Sequence, residues 1–119
     1  MVSRIRSLKR FIYLISPKKI YLNFYKDLDK ILLSKKVSFF QLRLKKKPKK
    51  LIIKIAKKIK KITKKYNVKF IINDDSKLAK KVNADGCHIG QLDNTVHLAR
   101  KDIKRKIIGV TCHNSKKLA

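Results

Sequence analysis

Gln41, Arg43 and Lys45 recur at every second position in Gln41-Leu42-Arg43-Leu44-Lys45, and further along Asn73-Asp74 closes an apolar run. A third polar stretch, Asp85-Gly86-Cys87-His88-Ile89-Gly90-Gln91-Leu92-Asp93, and a fourth, Gly109-Val110-Thr111, complete the set. On a strand, alternate side chains share a face, so Gln41, Arg43 and Lys45 are expected to point together, away from Leu42 and Leu44. Arg offers a planar fork to an oxyanion, Lys a flexible point charge, and Gln can read the edge of a heterocycle. An exposed edge strand with solvated ends accounts for the same triplet. Asp74 and Asp93, each following an apolar run, form the donor set that Mg²⁺ accepts when water and substrate phosphate fill its remaining positions. Helix capping accounts equally well for either carboxylate taken singly, with Asp75 the better cap of its adjacent pair. Thr111 can give a hydroxyl to phosphate, and His113 is either an acid/base group or a loop residue.

Other polar residues read as structural. Asp85-Gly86 is a turn feeding a strand, His88 an interior histidine, and His97 a surface residue of a helix. Cys87 and Cys112 lie in apolar runs without metal-ligand spacing or a dense disulfide pattern. Each is expected to be a small buried residue, which suits a reducing compartment.

The elements that must position these groups follow from periodicity. A strand over 11–15 is closed by Ser16-Pro17, and Asn23 is placed to cap a helix over 24–35. A second strand covers 37–44. Pro48 suits the first turn of a helix that carries Leu51, Ile52, Ile55, Ile59 and Ile62 on one face and lysines on the other. A strand over 69–73, a helix over 76–82, a strand over 86–90, a helix over 95–102 and a strand over 107–111 follow, with Asn114 or Ser115 set to cap a further helix. This alternation predicts a mostly parallel α/β fold. No Gly-x-Gly-x-x-Gly follows any strand, which excludes the dinucleotide-binding fingerprint. A (β/α)₈ barrel fits the even spacing and would bring every polar stretch to the C-terminal mouth. Such barrels need about 250 residues, so the expectation is a TIM barrel truncated after about four and a half units, with a basic arm over 1–10 and the front half-barrel over 11–119.

With 119 residues and 44% hydrophobic side chains, the chain can bury one core. Thirty-four Lys plus Arg against seven acids give a formal charge of +27, a field that attracts phosphate-bearing partners. The lysines fall mostly on solvent faces of the helices, so they also serve as ordinary surface residues. All seven acids are Asp, and four of them (Asp74, Asp75, Asp85, Asp93) are concentrated between 74 and 93. The charge permits a nucleic-acid-binding module, but no aromatic residues interleave with basic ones on a strand face and no recognition motif occurs. Any such binding would be independent of sequence and fade with salt. The basic amphipathic helix could lie on anionic lipid, yet its flanking strands favour packing against a sheet. No apolar stretch is long enough to span a bilayer, and the run after the basic start is too short for a secretory signal. A cytoplasmic protein is expected.

Taken in order and at these intervals, the four stretches resemble the thiamine phosphate synthase family from about Phe11 to the last residue. The resemblance implies a transferase that joins hydroxymethylpyrimidine diphosphate to a thiazole phosphate and releases diphosphate. It gives Gln41 to the pyrimidine ring, Arg43, Lys45 and Asn73 to the diphosphate, and Asp74 and Asp93 to Mg²⁺. Thr111 falls where the family usually has Ser, which keeps the hydroxyl. Asp75 stands where the family often has Arg or another non-acidic residue, a change expected to weaken diphosphate binding. The later strands, which hold the thiazole phosphate in the family, are missing, so the isolated chain is expected to be an incomplete copy of low activity. Its sheet edges would invite self-association. A sister branch, the thiazole tautomerases, shares the barrel and places a histidine near His113. The acidic pair and the Gln/Arg/Lys triplet favour the synthase, because a tautomerase has no diphosphate to lose. A remnant that holds a phosphorylated ligand without turning it over is a further reading.

Overall fold

A computed structural model describes residues 12–90 and 93–110, with side chains from 96 onward in the second stretch. Among the described residues five strands alternate with four helices: β1 (Ile12–Ile15), α1 (Phe24–Leu33), β2 (Val37–Leu42), α2 (Lys49–Lys65), β3 (Lys69–Asn73), α3 (Ser76–Lys81), β4 (Gly86–Ile89), α4 (Asp93–Ile103) and β5 (Ile107–Val110). The strands lie side by side in chain order and every pair is parallel. Crossovers between sequential parallel neighbours are nearly always right-handed, which carries successive connecting helices to one face of the sheet, and residues of all four helices share one core with the strands.

The core records that arrangement. Phe40, Leu42, Phe70, Ile72, Cys87 and Ile89, which alternate onto one face, pack with helix residues that include Leu28, Leu32, Ile59, Ala79 and Ile103. Each fully buried Leu, Ile or Phe contributes on the order of 1.5–3 kcal/mol. The opposite face carries a row that crosses the whole sheet, Ile15–Gln41–Ile71–Gly86–Ile107. Ile71 is buried at its centre, but Ile15 and Ile107 at the edges are 47% and 38% exposed. Gly86 is required in this row, because a Cβ there would lie 2.4 Å from the Ile107 carbonyl oxygen.

The predicted elements are all present among the described residues, with adjusted ends. β3 has its expected bounds. β2 stops at Leu42, two residues early. Pro48 precedes the first residue of α2 as its N-cap, its fixed φ of −58° setting the entry. Asn23 occupies the N-cap of α1, but its side chain makes no capping bond. Asp75 does cap α3, accepting from the Leu78 amide at 2.9 Å. Asp93 opens α4 as its first residue rather than preceding Thr95. Among the described residues no helix is long and apolar enough to cross a membrane.

Candidate active site at the strand ends

The C-terminal ends of β1 and β2 are tied together by Ser16. Its amide donates to the Gln41 carbonyl at 2.9 Å, and its hydroxyl accepts from the Arg43 amide at 2.9 Å. These bonds continue the ladder beyond Ile15 and fix the point at which Arg43 leaves the sheet. Gln41 is buried, and a buried amide needs a partner. Its Nε2 donates to the Tyr13 hydroxyl at 2.9 Å. Partial burial pushes the Tyr13 phenol above its ordinary range, against the opposing effect of the Gln41 bond.

Past Leu42 the strand alternation stops governing the side chains. Arg43 and Lys45 are both exposed. Lys45 lines a cleft of about 260 Å³ together with Leu42 and Leu44, so it does not simply continue the face of Gln41. Asn73 and Asp74 line the same cleft, over a floor that includes Ile72 and Leu78. Three of the residues expected to act on a phosphorylated ligand are therefore brought together, while Gln41 lies on the face of the sheet opposite the described helices.

Asp74 takes a left-handed backbone conformation, φ 62°. Asp tolerates this region better than most residues. The turn lets its amide reach across to the His88 carbonyl at 2.7 Å, while its carboxylate accepts from the Asn73 side-chain amide at 3.2 Å. Asn73 and His88 are register partners, and His88 in turn pairs with Gly109, where an added Cβ would meet the imidazole Nδ1 at 2.7 Å. Burial lowers the His88 pKa; the Asp74 charge opposes that shift and the Arg43 charge adds to it. The charges of Arg43 and Asp74 thus both reach His88 at the mouth of the sheet.

The neighbouring acids have other duties. Asp75 caps α3 and lies 3.9 Å from the Lys49 ammonium. Asp85 accepts from the Phe70 amide at 2.7 Å, a structural role in keeping with its turn position. Cys87 is a buried thiol, as expected, and burial pushes its pKa up to about 11. His97 is exposed. Thr111, Cys112, His113 and the Asn114/Ser115 cap lie outside the described residues, as does the Asp93 side chain. Among the described residues no three or more His, Cys, Asp or Glu groups cluster to hold a metal ion. Within the cleft, Asp74 offers an exposed carboxylate beside the Asn73 amide. That suits a hard cation that keeps several waters and needs only one or two protein carboxylates. Asp93 begins the helix that follows β4, the strand next to β3, which Asp74 follows.

Tyr13 and Ser16 bond to Gln41 and Arg43, and strand and motif patterns do not single them out. Their signal lies in the chain nonetheless: Tyr13 alternates with Ile15 on a strand next to β2, and Ser16 is the first polar residue after that strand.

The fold matches that of the thiamine phosphate pyrophosphorylase from Pyrococcus furiosus, with a TM-score of 0.73 at 24% identity, over 89% of this chain and 51% of that one. The family model for thiamine monophosphate synthase matches residues 12–119. The chain belongs to the thiamine monophosphate synthase family. Within this family it is 63% identical to the thiamine-phosphate synthase of Pelagibacter ubique over 112 residues, 93% of this chain and 54% of that protein. It is also 37% identical to the thiamine-phosphate synthase of Erythrobacter litoralis over 111 residues, 91% of this chain and 52% of that protein. The chain spans about half the length of these curated relatives.

Proposed function

We propose that this chain carries the diphosphate-binding part of a thiamine phosphate synthase, and that its five strands are the front of a (β/α)₈ barrel in the cytoplasm. The observation that carries the reading is the meeting of Lys45, Asn73 and Asp74 in one strand-end cleft of a chain from this family. The substrate is hydroxymethylpyrimidine diphosphate, with a thiazole phosphate as acceptor.

In the reaction, the bond between the pyrimidine methylene and the diphosphate oxygen breaks, and the oxygen keeps the electron pair. The thiazole nitrogen then donates its lone pair to the methylene carbon, so no protein nucleophile is needed. Arg43 and Lys45 stabilise the negative charge that builds on the leaving oxygens, the kind of electrostatic effect that is usually the largest catalytic contribution. Asn73 donates to a diphosphate oxygen. Gln41, held in place by Tyr13, presents a fixed hydrogen-bonding edge to the pyrimidine. The Thr111 hydroxyl serves the pyrimidine and its leaving group. Asp74 and Asp93 would hold Mg²⁺, which when bound supplies Lewis-acid stabilisation of the departing diphosphate.

Titrating the purified chain with hydroxymethylpyrimidine diphosphate in a calorimeter, with and without Mg²⁺, tests the reading. Saturable heat that requires Mg²⁺ and disappears in Asp74→Ala is expected. Folded wild-type protein that gives no heat, or gives the same heat without Mg²⁺, would overturn it.

A further inference from the structure

Beside the candidate active cleft, at the mouth end of the sheet, lies a separate and larger apolar cavity of about 530 Å³. It sits between the loop after β1, the start of α1, the loop after β2 and the first three turns of α2. Tyr25, Leu44, Leu51 and Ile55 contribute apolar walls. Lys19, Lys47, Lys54 and Lys58 also line it, and no described carboxylate does. Tyr21 and Leu22 stand at its rim, 48% and 94% exposed, and Leu51 is 43% exposed. Exposed large apolar groups gathered beside a concave surface mark binding sites more often than scattered ones do.

Charge and shape together define the ligand. The volume falls within the range of about 300–1,000 Å³ typical of small-molecule sites. Four lysines among the lining residues, with no described carboxylate beside them, leave an excess of positive charge that an anion would offset. The described ion pairs of the chain, Lys49–Asp75 and Lys65–Asp29, involve none of these four lysines. The Tyr21 hydroxyl is turned to Asp27, to which it donates at 2.8 Å, and Lys58 lies 5.3 Å from the centre of the Tyr25 ring. An inorganic anion would meet the lysines but leave the aromatic and aliphatic walls unsatisfied. A neutral apolar molecule would leave the lysines unneutralised.

We propose that this cavity is a second binding site, for a small phosphorylated or sulfonated compound with an aromatic or short aliphatic body. The site stands apart from the candidate active cleft, sharing only Leu44 with it, and does not depend on the synthase reading.

The test uses 1-naphthyl phosphate as probe, followed by calorimetry and by heteronuclear NMR shifts. Saturable one-site binding is expected, at least tenfold tighter than inorganic phosphate. The double variant Lys54→Glu/Lys58→Glu should weaken it by tenfold or more. Lys80→Glu/Lys101→Glu, the same charge change on exposed positions of α3 and α4, should leave it within about twofold, as should Lys45→Ala. Shifts should centre on Tyr25, Leu51 and Ile55. Equal losses in both double variants would mean the overall charge of the chain is responsible and would overturn the proposal. Loss in Lys45→Ala alone would assign the probe to the neighbouring cleft and would overturn it too. An affinity no better than that of inorganic phosphate would do the same.

Discussion

The backbone amide of Asp74 donates to the carbonyl of His88 at 2.7 Å, joining the end of β3 to that of β4. The bond separates two roles of one residue. The backbone of Asp74 helps hold the mouth of the sheet together, and its side chain remains exposed, where we propose that it meets Mg²⁺. Because φ is 62°, glycine suits the position better than any other residue. Asp74→Gly is expected to keep or raise stability, by up to about 1 kcal/mol, while abolishing Mg²⁺-dependent diphosphate binding. Asp74→Val should lower both, since a β-branched side chain is strained there. Thermal melts run beside the calorimetric titration would show the two properties moving apart in the first variant and together in the second.

How far these features can be read from sequence depends on how local their causes are. β3 is bounded by polar residues, Lys69 and Asn73, around Phe70-Ile71-Ile72, and its limits are evident. The alternation overextends β2 because Leu44 prolongs the apolar pattern, although Lys46, at φ 59°, turns the chain before Pro48. Asp75 is readable as a cap because Ser76 and the apolar Leu78 follow at the right spacing. The Gln41–Tyr13 bond joins residues far apart in the chain. It depends on a register that shifts between Ile12 and Tyr13, which no local pattern encodes. The grouping of Lys45 with Asn73 and Asp74 depends on strand order, so it follows only once the parallel arrangement is in place.

Two glycines make opposite predictions. A Cβ on Gly86 would approach the Ile107 carbonyl oxygen to 2.4 Å, and that obstacle is backbone. Relief requires β4 and β5 to part. Gly86→Ala is expected to cost about 1–3 kcal/mol, the usual range for overpacking. At Gly90 an added Cβ meets nothing within 4 Å, and no described glycine has positive φ. Gly90→Ala should fall within about 0.5 kcal/mol of the wild type. Urea midpoints that coincide for the two variants would refute the account of the β4–β5 contact.

Helices α1 and α4 are each followed by a lysine in the left-handed region, Lys35 at φ 61° and Lys104 at φ 54°. Glycine commonly fills such positions, because it carries no Cβ to clash. This chain has only three glycines and uses none there. Lys35→Gly and Lys104→Gly should each gain about 0.5–1 kcal/mol, the left-handed cost of a side chain reduced by the greater freedom of glycine in the unfolded state. Asn67 and Asn83 end α2 and α3 at φ 59° and 54°. Asn tolerates this conformation, so its replacement by Gly should gain less than either lysine. Melting temperatures of the four single variants would check that order.

His88 should give the fold a pH dependence that its neighbours tune. Burial lowers its folded-state pKa beneath the ordinary 6.5, Arg43 adds to the lowering and Asp74 opposes it. The unfolded chain therefore binds the proton more readily than the folded one. The contribution to stability is complete above the unfolded pKa and is lost as pH falls below it and through the folded value. Urea midpoints should decline as pH drops from about 7.5 to 5, with the His88 part of that slope absent in His88→Gln. Asp74→Ala removes the opposing charge and should move the imidazole titration to lower pH. Arg43→Ala should move it upward. An NMR titration of His88 in these two variants reads both shifts directly, and shifts in the same direction would exclude the electrostatic coupling of these three residues at the mouth of the sheet.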